Sequence, residues 1–223
     1  MNIKLFGQAV IKFLLGFIIV SLILFIPAGT IYYWNAWLFL GALFIPMFIV
    51  GIILMIKNPE LLKKRLNAKE NEGEQKKVVL LSSLMFLSGF VIAGLNYRFS
   101  WIIMPNIVVI ISSILFVLAY LLYGEVLREN TYLSRTVEVQ DDQKIIDTGL
   151  YGIVRHPMYS VTILLFLTMP LILGSIYSFL IFLIYPIIIA KRIKNEEKVL
   201  EKDLDGYADY KKKVKYRIIP FIW

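Results

Sequence analysis

Residues 5–26, 34–56, 78–95 and 101–123 are four apolar runs, each long enough to cross a bilayer. No soluble fold of this length can hide four such runs, so they govern what the chain can become. As a helix rising ~1.5 Å per residue, the first run reaches about 33 Å, against a hydrocarbon core of about 30 Å. Only Gln8 and Lys12 interrupt it. Its apolar part exceeds the about 7–15 residues of a signal-peptide core, so an uncleaved first helix is expected. The composition agrees: 59% of the 223 residues are hydrophobic, where a soluble domain has about 45–50%.

Between the runs, Pro27-Ala28-Gly29 predicts a tight turn. Tyr32, Tyr33, Trp34 and Trp37 predict an aromatic belt at the interface. Residues 57–77 are polar, with Leu61, Leu62 and Leu66 on one side of a short helix, a pattern that suits the bilayer surface. Residues 96–100 read as a short connection, and Pro105 falls in the first turns of the fourth span, where a missing N–H is tolerated. Residues 124–156 are polar, and 137–149, with the pair Asp141-Asp142, reads as an aqueous loop.

Residues 157–190 behave differently. As one helix they would reach about 51 Å, too long for a bilayer without extreme tilt. Pro170 and Gly174 fall in the middle, so two short helices folded into a membrane hairpin are expected. From Lys191 the chain is polar, with a helix to about Leu204 and an irregular tail to Trp223. The expected fold is thus an all-α integral membrane protein: four transmembrane helices, a Pro/Gly-broken membrane hairpin, and a C-terminal helix and tail. It divides into residues 1–123, carrying the four spans and the surface segment 57–77, and a catalytic, cofactor-binding region 124–223.

Charge fixes the expected orientation. With the amino terminus, 57–77, 124–156 and everything after 190 on one side, only Arg98 of the 24 Lys and Arg falls on the other. By the positive-inside rule the first side is the cytoplasm, and both termini lie there. The net charge of +8 crowds the ends of apolar runs, where lipid phosphates lie, so a membrane surface rather than nucleic acid is the expected partner. There is no cysteine, and His156 is the single histidine, which excludes disulfides and thiolate nucleophiles and leaves no conventional metal site.

Polar residues suited to chemistry form three patches: 149–159, 192–197 and 206–210 with Val214 and 216–220 beyond. A hairpin returns the chain to the face it left, so the first two patches should lie close together. Each also has a plain structural reading. His156 before Pro157 suits a helix start, Arg155 and Tyr159 suit interface anchors, and Arg192 and Glu196 suit a weak i,i+4 pair.

The order and spacing of these patches resemble the membrane methyltransferases that include isoprenylcysteine carboxyl methyltransferase and the phospholipid methyltransferases. The matching residues are Gly149, Tyr151, Arg155, His156, Pro157 and Tyr159, then Arg192, Glu196, Glu197 and Leu200, then Gly206, Tyr207, Tyr210 and Pro220. Trp34-Asn-Ala-Trp37, Asn58-Pro-Glu-Leu-Leu62 and Arg65-Leu66 resemble bacterial members, which implies a bacterial cell membrane.

The resemblance implies S-adenosylmethionine as cofactor and a lipid or lipidated small molecule or peptide as acceptor. It implies that Gln143, Lys144, Ile145 and Ile146, with Tyr151, His156, Pro157, Met158, Tyr159 and Glu196, line the cofactor pocket. It gives Arg192 the acceptor's carboxylate, a suitable task for a guanidinium fork. Arg192 and Glu197 are the catalytic candidates, Glu197 as a base if the acceptor is an amine. Gln143 departs from the family, which often has histidine there.

Two other readings stand beside it. The tail 216–223 resembles that of membrane sterol reductases, which use NADPH. Those tend to carry asparagine before the tyrosine matched by Tyr159, and they lack a pair like Glu196-Glu197. A small transporter, channel or scaffold would instead need a polar track through the spans, whose first four hold few ionisable groups.

Overall fold

The computed structural model describes residues 3–67, 73–133, 139 and 143–223, and among these every regular element is helical. The helices are α1 (Ile3–Ala28), α2 (Trp34–Lys57), α3 (Pro59–Leu66), α4 (Gly73–Phe99), α5 (Asn106–Glu129), α6 (Pro157–Ile172), α7 (Ile176–Phe182), α8 (Tyr185–Asp203) and α9 (Tyr207–Lys213). A 3-10 turn at Gly149–Gly152 precedes α6. The fold is all-α, and five helical stretches are long and apolar enough to cross a membrane: Ile3–Ala28, Trp34–Lys57, Gln75–Phe99, Asn106–Glu129 and Ile176–Asp203, the last combining α7 and α8. Asp141 and Asp142 lie outside the described residues.

Exposed apolar side chains show which solvent these helices are built for. Leu14, Ile18 and Leu22 on α1, Phe48, Ile49 and Ile52 on α2, and Ile110, Ile114 and Leu121 on α5 all point outward. Lipid accepts such a surface and water does not. Inside, α1 and α4 pack backbone to backbone, because a Cβ on Gly94 would stand 2.7 Å from the Leu24 carbonyl oxygen.

The surface helix at 57–77 is present as α3. Asn58 caps it by accepting from Leu61 N at 3.1 Å, Pro59 occupies its first turn, and Leu61 and Leu62 are buried beneath it.

Three expected boundaries move. The helix of the third run continues past 95 to Phe99, and the next begins only at Asn106 with Pro105 as its N-cap rather than within its first turns. Proline disfavours helix at the residue before it, and the Asn96 side chain fills the gap by binding both Ile102 N (3.3 Å) and Ile102 O (3.0 Å). α5 runs on past Tyr123 to Glu129, because a helix in water needs no apolar side chains to keep its backbone bonds. The tail is not irregular throughout. α9 buries Tyr207 and Tyr210 beside Leu204 and Val214, with Gly206 in the left-handed region (φ 82°) opening it.

The hairpin breaks at Leu173–Ser175, with Gly174 at φ 72°. The break strands carbonyls, each costing about 1–3 kcal/mol if buried unpaired. Here each finds a buried donor. Asn35 Nδ2 donates to Ile172 O at 2.9 Å, the Tyr33 hydroxyl to Leu173 O at 2.5 Å, and Asn96 Nδ2 to Gly174 O at 3.3 Å. Tyr33 is therefore no belt residue; it is fully buried and stacks on Tyr97 at 4.3 Å. Asn35→Leu should leave Ile172 O unpaired and cost about 1–3 kcal/mol, read as a lowered unfolding temperature in detergent.

The three bonds also place the two ends of the bundle. The hairpin tip lies level with the α1–α2 turn and the end of α4. The opposite end gathers α3, the end of α5, the start of α6 and the polar part of α8. There Lys12 Nζ reaches Leu66 O at 2.6 Å, Arg65 reaches Tyr123 and Met158, and Gln75 reaches Arg192 O.

Candidate active site

The polar end of the bundle is assembled from the three patches. In the first, Glu129 at the end of α5 accepts from Leu150 N at 3.0 and 3.2 Å. This carboxylate occupies the space a Cβ would take on Gly149, whose φ of 53° favours glycine there. The turn so fixed carries Tyr151, and the Tyr210 hydroxyl from α9 donates to Tyr151 O at 2.7 Å.

His156 and Pro157 open α6 as a helix start, with proline in the first turn. The preceding backbone is held by the tail: Arg155 N donates to Tyr216 O (2.9 Å) and His156 N to Arg217 O (2.8 Å). The Arg155 side chain reinforces this, donating from Nη1 to Val214 O (2.7 Å) and Lys215 O (2.8 Å).

Glu197 is the hub of these contacts. Oε1 accepts from Arg155 Nε at 2.9 Å and lies 2.8 Å from Nη2, while Oε2 accepts from Arg217 Nε at 2.9 Å. His156 Nε2 stands 3.3 Å from Oε1. Glu197 lies beyond the apolar part of α8, which ends at Ala190, yet it is only 3% exposed. Burial would raise its pKa, but hydrogen bonds from His156, Arg155 and Arg217 outweigh that and hold it down at about 2.

Glu196, the next residue, faces a different space. Its Oε2 accepts from the Tyr159 hydroxyl at 2.5 Å, and that hydroxyl accepts from Arg192 Nε at 2.9 Å. The expected contact between Arg192 and Glu196 thus includes a tyrosine bridge. His156 Nδ1 lies 3.9 Å from Glu196 Oε1, so the ring sits between the two glutamates.

These groups surround a partly open cavity at this end of the bundle. Gln143, Lys144, Ile145, Ile146, Tyr151, His156, Met158, Tyr159, Arg192 and Glu196 all line it. Pro157 and Glu197 do not: the first is packed into the start of α6, the second turned toward the arginines.

Further lining comes from Asn130, Tyr132 and Leu133 after α5, and from Leu200, Leu204, Tyr207 and Tyr210. Arg192, Glu196, Leu200 and Leu204 are successive i,i+4 positions, so helical spacing alone could have put them on one face. Nothing in the sequence marks Asn130 or Tyr132, which reach the cavity only through the turn after α5.

Of two buried hydroxyls in this wall, Tyr207 OH has no hydrogen-bond partner among the described residues, and Tyr151 OH has the Asn130 side chain beside it. Burial pushes both phenols up from their ordinary pKa, for Tyr207 with the Glu197 charge adding to it. Both therefore stay protonated at neutral pH and stand ready to donate or accept. A buried polar group without a partner is uncommon and calls for an explanation. A polar ligand in the cavity supplies one.

No curated protein matches the chain. Residues 109–202, from the first turn of α5 to the end of α8, match the sequence model of the Isoprenylcysteine carboxyl methyltransferase (ICMT) family. That stretch contains the Glu129 anchor, the His156-Pro157 helix start, the Tyr159 bridge and both glutamates. The same stretch supplies most of the cavity wall and the membrane hairpin alike, and over it the chain is similar to the isoprenylcysteine carboxyl methyltransferase family of membrane proteins.

Proposed function

We propose that the protein transfers a methyl group from S-adenosylmethionine to a lipid-like acceptor at the membrane face. The observation that carries this is the cavity itself: a partly open wall of mixed polar and apolar side chains, with the orphan Tyr207 hydroxyl in it, at the bundle end from which the hairpin enters the bilayer. S-adenosylmethionine supplies an electrophilic methyl group on a sulfonium.

The residues present fit such a ligand. Glu196 offers a carboxylate to ammonium or hydroxyl donors, and Tyr151 and Tyr159 offer aromatic faces to a cation. The Tyr151 and Tyr207 hydroxyls and the Gln143 amide supply further donors and acceptors. Gln143 keeps both capacities where the family often has histidine. Arg192, fixed by Tyr159, would hold the acceptor's anionic oxygen. A carboxylate acceptor is already a nucleophile and needs no general base, so positioning and exclusion of water supply the rate. Glu197, engaged by two arginines, supports this reading better than one in which it acts as base.

In this reading the donor enters from the cytoplasm of a bacterial cell and the acceptor from the lipid. Residues 124–223 form the catalytic region and α1–α5 its membrane frame. Orientation is testable on a chain without native cysteine. Arg98→Cys and Lys212→Cys should label from opposite sides of sealed vesicles, position 212 from the cytoplasmic side. Labelling of both from outside would reverse the assignment.

Donor binding is tested on purified protein in nanodiscs. S-adenosylmethionine or its demethylated product should bind, and His156→Ala and Glu196→Gln should each weaken binding by about 1–3 kcal/mol. Tight binding of NADPH with no response to the methyl donor would favour the reductase reading instead.

A further inference from the structure

The turn Ile219–Ile222 near the end of the tail carries large apolar side chains with no cover. Ile219, Phe221 and Ile222 are 45%, 87% and 76% exposed, although Ile218 just before them is buried in the main core. Ile222 N and Trp223 N both donate to Ile219 O, closing the turn. Phe221 sits at φ 65°, a conformation that a bulky side chain rarely adopts.

The position of this turn follows from α6. α6 has 16 residues, so it spans about 24 Å. Its far end is fastened at the level of the α1–α2 turn by Tyr33 and Asn35. The hydrocarbon core is about 30 Å thick. An untilted α6 therefore starts about 6 Å inside the near boundary, and tilt takes it deeper.

The tail is pinned to that buried start. Ser160, one turn into α6, donates to Ile218 O at 2.7 Å, and His156 N donates to Arg217 O. Ile219, Phe221 and Ile222 come next in the chain, while the cations Lys215 and Arg217 come just before them. Arg217 lies over the Trp223 ring at 5.0 Å. Apolar side chains beside cations and aromatic rings match the boundary between headgroups and acyl chains.

We infer that the 219–222 turn is a membrane-inserted tip, with Phe221 and Ile222 in the acyl region and the exposed Lys215 toward the headgroups. The tail, cytoplasmic by sequence, re-enters the bilayer beside the start of α6. It thereby ties the wall of the cavity to the lipid phase. The occupant is the bilayer itself, and the inference stands on geometry and burial whether or not the cavity binds a methyl donor.

The absence of native cysteine makes the test direct. Spin labels are placed singly at Phe221→Cys, Ile222→Cys and, as an aqueous reference, Lys212→Cys, with the full chain in phosphatidylcholine/phosphatidylglycerol nanodiscs. The ratio of collisions with oxygen to collisions with a water-soluble nickel chelate should be several-fold higher at 221 and 222 than at 212. Ratios at 221 and 222 equal to that at 212 would overturn the inference. So would dipolar broadening between labels on two chains, which would mean that a second copy covers the tip.

Discussion

Replacing Glu197 by alanine should destabilise the protein by about 3–5 kcal/mol, the usual cost of stranding a buried charge. The Arg155 and Glu197 side chains are each 4% exposed. Removing the carboxylate leaves the Arg155 guanidinium buried with only carbonyl acceptors, and it releases Arg217. The tail from Val214 onward should detach first, seen as rapid proteolysis and a fall in unfolding temperature in nanodiscs. Arg217→Ala should cost less, since its side chain is 27% exposed and solvent can replace part of the contact. The pH dependence has a fixed sign. The folded pKa of Glu197 is depressed, so its contribution is intact above the ordinary carboxylate pKa and is lost as pH falls toward about 2. A Glu197→Ala protein of unchanged stability that had lost only turnover would make Glu197 the catalytic base rather than the hub.

Arg192→Ala should lower methyl transfer to a carboxylate acceptor by about 10²–10³-fold, the typical loss on removing one preorganised charge-stabilising donor. Donor affinity should change little, because Glu196 keeps its bond from Tyr159. Arg192→Lys retains the charge but not the planar fork, so it should recover only part of the rate. Tyr159→Phe separates the two roles of the bridge. It leaves the guanidinium in place but cuts its link to Glu196, so both donor affinity and rate should fall, each by about 1.5–3 kcal/mol. An amine acceptor reverses the pattern: Arg192→Ala would then disturb donor binding or stability through Glu196. Unchanged turnover in Arg192→Ala would remove the carboxylate-anchor proposal. Donor affinity and turnover are measured on the same variants, so a misfolded protein is told apart from an unanchored acceptor.

The sequence by itself determined the solvent, the class of secondary structure and the hairpin. Membrane-length apolar runs leave few alternatives in lipid, where every backbone group must be satisfied within the protein. Gly174 marked the break because its backbone freedom is a local property, whereas Pro170 lies inside α6. Local chemistry also identified α3, through its leucines. What the sequence left undecided depends on partners far along the chain. Tyr33 has the composition of a belt residue, and only the return of the hairpin to its level makes it a buried donor to Leu173. Glu196 and Glu197 are neighbours of identical chemistry. Helix geometry points adjacent side chains about 100° apart, so one faces the cavity while the other meets Arg155 and Arg217. Which does which was settled by where the tail packs, across 20 residues from Arg217 and 42 from Arg155. A pattern of residue types fixes what a segment can do; the burial and charge that its partners bring decide which of those things it does.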